Sequence, residues 1–128
     1  MELTVLGFDD DAWPEVRAAN PFNEPPAEGK RMVMVRLRIR NVDSPQEPAT
    51  WLNMYAALLG SYQRPWTPFG EASWCGVVPE SLDVVELYHG GEAEGNLCFQ
   101  IPADEIDLLL RYEYTWGKYV YLSVTPGE

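Results

Sequence analysis

Asp9, Asp10 and Asp11 form an acidic cluster ahead of Ala12-Trp13. A hard cation such as calcium takes carboxylate oxygens, and Asp9 and Asp11 would be its candidate ligands. The alternating Asp-x-Asp-x-Asp loop with a closing glutamate does not follow, so the cluster reads first as a solvated loop. His89 is the single histidine, followed by Gly90-Gly91 in a predicted turn. Catalysis through it would need a nucleophile and an orienting group close in space. No Gly-x-Ser-x-Gly elbow, His-Glu-x-x-His pair or phosphate-binding loop accompanies it. Met32, Met34 and His89 together have the donor types of a copper site, but strand methionines more often pack. Twenty acidic residues supply carboxylate pairs by chance, so pairs alone do not indicate glycoside hydrolysis. The expectation is a non-enzyme without a cofactor.

The aromatics carry more information. The tryptophans Trp13, Trp51, Trp66, Trp74 and Trp116 fall mostly in loops or at strand ends. Such rings stack on sugars, anchor protein interfaces, or cap the open end of a core. Residues 65–80 form a long loop with Pro65, Pro68, Gly70, Gly76 and Pro79. Loops held by a rigid scaffold carry function disproportionately. Tyr62, Trp66, Phe69 and Trp74 are therefore the candidate binding surface.

Charge narrows the partner. Nine basic residues against 20 acidic ones give −11 over 128 residues. That balance argues against a phosphate backbone and against an anionic membrane surface. The apolar runs are far shorter than the roughly 20 residues a spanning helix needs. The first residues lack the basic start and cleavage site of a signal peptide.

The elements that must hold these residues are strands. Over residues 31–41, Val33, Val35, Leu37 and Ile39 alternate with Met34, Arg36, Arg38 and Arg40. Period two with one apolar face predicts a half-buried strand. Ala93, Gly95, Leu97, Phe99 and Ile101 predict a second, with Glu92, Glu94, Asn96, Cys98 and Gln100 outward and Pro102 ending it. Residues 108–114 and 119–124 predict a hairpin turning at Trp116-Gly117-Lys118. Residues 3–6 and 51–59 read as strands, with a return over 62–66. Residues 14–20 and 104–108 read as short helical turns. Several short strands between turn signals predict a β-sandwich or barrel filling one domain, residues 1–128.

Cys98 falls on the polar face of its strand, although free cysteines prefer cores. A bridge to Cys75 would tie the long loop across the sheet. Closing about 24 residues would stabilise by roughly 3 kcal/mol in the chain-entropy model. It would also imply an oxidising compartment. The alternative is two unrelated free thiols, as in a cytosolic protein.

The run from Asn20-Pro21-Phe22-Asn23-Glu24-Pro25-Pro26 to Met34-Val35 resembles the opening of a family of immunoglobulin-like domains of unknown function. That family occurs in bacterial secreted proteins and lipoproteins. A second block is similar to it as well: Cys75-Gly76-Val77-Val78-Pro79, Gly90-Gly91, and Gly95-Asn96-Leu97-Cys98-Phe99-Gln100-Ile101-Pro102. The resemblance spans about residues 3–124. It implies an immunoglobulin-like antiparallel β-sandwich, a paired Cys75 and Cys98, and export, with a signal or lipid-attachment cysteine upstream. Some members carry names borrowed from a telomere-binding factor, a role that −11 does not support. The expected function is a non-enzymatic extracellular interaction or spacer module with a protein partner, on a membrane only through an anchor outside this chain. The alternative is a carbohydrate-binding accessory module that uses the loop aromatics.

Overall fold

The computed structural model describes residues 1–42, 55–69, 74–82 and 86–124. Strands β1 (Glu2–Asp9), β2 (Lys30–Arg40) and β4 (Glu92–Pro102) form one sheet in the order β1-β2-β4. Strands β3 (Ala56–Leu59), β5 (Leu109–Thr115) and β6 (Lys118–Ser123) form a second in the order β3-β5-β6. All neighbouring strands run antiparallel. The one helix among the described residues is α1 (Trp13–Ala19). The protein is thus all-β, as the period-two alternation predicts.

The alternation in β2 decides which side is buried. Val33, Val35, Leu37 and Ile39 have no exposed surface. They share one core with Leu97, Phe99 and Ile101 of β4, Ala56 and Leu58 of β3, and Leu110 and Tyr112 of β5. Each such aliphatic side chain contributes about 1.5–3 kcal/mol by leaving water. On the other side of β2, Arg36 Nη2 donates to Glu94 Oε2 at 2.7 Å, and Arg40 lies 3.7 Å from Glu2. The arginine stripe is therefore flanked by acids of both neighbouring strands. The Glu94 bond holds the Arg36 guanidinium above its ordinary pKa.

Pro14 stands in the first turn of α1, where its missing N–H is harmless. Its Val16 is fully buried against β2, where Ala12 N–H donates to Met32 O at 2.9 Å. The hairpin of β5 and β6 turns at Gly117, with φ +73°.

Three expectations are corrected. Residues 104–108 form a turn rather than a helix: Glu105 N–H donates to Pro102 O, and Asp107 has φ +57°. The return over 62–66 is a single bridge, in which Leu58 and Trp66 exchange N–H···O bonds of 2.8 Å. The polar face of β4 is in water only at Glu92 and Glu94. Asn96, Cys98 and Gln100 are all buried, because α1 and residues 74–80 cover them. Of the expected strand over 51–59, residues 56–59 are β3; residues 51–54, with Trp51, lie outside the described residues.

Candidate binding surface over the disulfide

Residues 74–80 are fastened to β4 at three successive outward positions. Gln100 Nε2 donates to Trp74 O at 3.1 Å. Cys98 is bonded to Cys75, with Cα atoms 6.0 Å apart. Asn96 Nδ2 donates to Pro79 O at 2.9 Å. Period two places 96, 98 and 100 on one face, so a single strand presents all three fasteners in a row. The disulfide sits in a second, small core with Ala12, Val16 and Met32.

Asn23 fastens the same segment from the opposite side. Its Nδ2 donates to Val77 O at 2.7 Å and to Val16 O at 3.0 Å, while its Oδ1 accepts from Val77 N–H at 2.8 Å. Gly76 has φ +97°, and a Cβ there would run into the Asn23 amide. The turn therefore requires glycine. Gln100 Oε1 accepts from Ala27 N–H at 2.7 Å, which ties down the proline-rich loop.

Fastening fixes what remains exposed. A depression of about 480 Å³ is lined by Phe22, Asn23, Pro25, Trp74 and Gln100, among others. A second, of about 270 Å³, has Pro68, Phe69, Val77 and Val78 in its wall. Trp74, Cys75 and Gly76 belong to both, so the two adjoin across the disulfide. Phe22 is 91% exposed and Trp74 58%. The amides of Asn23 and Gln100 are already engaged by backbone groups. What the two depressions offer a ligand is ring faces and aliphatic carbon in roughly even share with polar atoms.

The four predicted surface residues separate. Phe69 and Trp74 lie on this surface. Trp66 does not: at 8% exposure it belongs to the main core, with Arg64 over its ring at 4.7 Å. Its indole N–H donates to Glu105 Oε2 at 3.1 Å. Tyr62 is half exposed but tied to the same corner. Its N–H donates to Glu105 Oε1 at 2.8 Å and its hydroxyl to Asp104 at 2.6 Å. The bond to Asp104 holds the Tyr62 phenol above its ordinary pKa.

Asp9 spends its carboxylate on the turn into α1, accepting from Asp11 N–H at 3.0 Å. Among the described residues no group of three metal-ligating side chains is assembled. His89 is exposed in the turn before β4. Met32 pairs with Gln100 near one end of β2, while Arg40 pairs with Glu92 at the other. At about 3.3 Å per residue, the methionines and His89 are on the order of 20 Å apart or more, so no copper site forms from them. Phe22 and Asn23 have a signal of their own, an aromatic and an amide inside a proline-rich loop. Nothing local in the sequence says which loop they meet. No family model, curated protein or solved structure matches the chain.

Proposed function

We propose that the chain is an immunoglobulin-like β-sandwich that serves, without catalysis, as an interaction module of an exported bacterial protein. Its partner is a protein, which docks on the surface over the disulfide. The observation that carries this reading is the exposed apolar surface of Phe22, Phe69, Trp74 and Val77 around the fastened residues 74–80. A surface held in place before binding loses little entropy on association. Tryptophan and its aromatic neighbours are the residues that dominate protein interfaces. Export is supported by the disulfide, which persists in oxidising compartments. Sugar stacking has less support, because the amides beside the rings are already bonded internally.

The test is photo-crosslinking in the cells that make the protein. A photoreactive phenylalanine analogue replaces Phe22 in one variant and Tyr121, on β6, in another. A discrete protein adduct from position 22 and none from 121 is expected. Adducts from 121 alone, or a saturable glycan response in tryptophan fluorescence, would overturn the reading.

A further inference from the structure

From this surface we infer the chemistry of the partner: a basic segment that seats an arginine or lysine against the Phe22 and Trp74 rings, with apolar residues beside it. The inference rests on the interaction-surface reading and goes on to name what is bound.

Its first support is charge. The wall carrying Phe22 belongs to residues 9–28, which hold Asp9, Asp10, Asp11, Glu15, Glu24 and Glu28 against Arg17 alone. Every one of these acids except the half-buried Asp9 is exposed, and Glu24 lines the larger depression directly. Lys30 and Arg31 adjoin the wall and lower the excess to three negative charges over residues 9–31. Arg31 donates to the carbonyls of Asp10 and Glu105 at 3.1 and 3.0 Å. The Lys30 ammonium, which also lines the depression, lies 5.9 Å from the Trp66 ring centroid. A field of this sign draws in cations and rejects anionic partners. It also disfavours a second copy of this chain, since each copy carries −11.

The second support is the kind of surface offered. Exposed indole and phenyl faces attract a guanidinium or ammonium group, and arginine most often. Among the described residues the fold already uses this contact three times, with Lys30 and Arg64 over Trp66 at 5.9 and 4.7 Å and Arg111 over Tyr119 at 4.5 Å. With the Asn23 and Gln100 amides engaged, the other hydrogen-bonding side chains that a neutral polar ligand meets in the larger depression are those of Glu24, Lys30 and the Trp74 indole. A cation over the rings needs none, and Glu24 supplies a counter-charge. The adjoining depression of Pro68, Phe69, Val77 and Val78 receives the aliphatic neighbours.

The experiment is a random peptide display selected on the oxidised protein and on the double variant Phe22→Ala/Trp74→Ala. Both replaced side chains are exposed, so the variant keeps the core; unchanged melting confirms that the comparison is fair. Peptides enriched on the wild type and lost on the variant are sequenced and resynthesised. The expected peptides are net positive, with aliphatic residues beside Arg or Lys. Exchange of their basic residues for Glu should weaken binding by about tenfold or more, and Glu24→Gln by roughly threefold. Ring-dependent peptides that are neutral or acidic would overturn the inference while leaving the interaction surface standing. Enrichment that does not depend on the two rings, or none at all, would overturn both.

Discussion

Glu105 has no exposed surface, and its carboxylate accepts from Trp66 Nε1, the Tyr62 N–H and the Ser61 hydroxyl. A buried carboxylate is tolerated when its oxygens are this well used. Glu105→Gln keeps the volume but turns one acceptor into a donor that faces a donor. A loss of about 1–3 kcal/mol is expected in urea denaturation, with Glu105→Ala losing more. Gly60 belongs to the same corner, since a Cβ there would meet the Glu105 carboxylate and the Ile106 carbonyl at 2.8 Å. Tyr112 makes a second prediction. Burial, joined by its neighbour Tyr55, pushes its phenol above the ordinary value near 10. The folded state then holds a proton that the unfolded chain has already released, so stability falls as pH rises through the alkaline range. Below pH 10 this contribution is fully present. In a spectrophotometric titration Tyr112 should ionise after the exposed tyrosines, together with unfolding; ionisation alongside them in the folded protein would contradict its burial.

At the scale of elements, β2 is legible residue by residue, because one face is aliphatic and the other cationic. Strand β4 is legible on its inner face and, outward, only at Glu92 and Glu94. Alternation distinguishes polar from apolar side chains, but it cannot say whether the polar side is covered. Asn96 and Gln100 look like solvent-facing residues, yet their amides bond loop carbonyls. Cys98 is the one residue of that face whose chemistry gave away its role. Gly95 carries a related constraint. A Cβ there would lie 2.6 Å from Leu82 N and 2.9 Å from Glu80 O, the segment that bonds to Asn96 beside β4. Gly95→Ala should destabilise by about 1–3 kcal/mol through overpacking, read as a lower melting temperature. Cys75→Ser/Cys98→Ser should cost about 3 kcal/mol. It should also raise hydrogen exchange over residues 74–80 more than in β2. Uniform change across both would mean that the bridge does not hold the segment locally.

For the whole molecule, composition and alternation together made the all-β class and the acidic surface readable. The candidate site was readable in part. The long loop was identified by its prolines and aromatics, and Phe69 and Trp74 are exposed on it. Trp66 went into the core because its indole N–H meets Glu105, 39 residues away, a pairing that no local pattern carries. Phe22, from a distant loop, lines the same depression as Trp74, with Asn23, Cys98 and Gln100 fastening the segments that carry them. This fastening, on the proposed reading, builds a protein-binding surface. The most direct test is the affinity of the partner crosslinked at position 22, measured on three proteins: the wild type, Phe22→Ala/Trp74→Ala and Cys75→Ser/Cys98→Ser. Both variants should bind at least about tenfold more weakly, one having lost the rings and the other the frame that holds Trp74. Affinity unchanged in the two variants would contradict this reading.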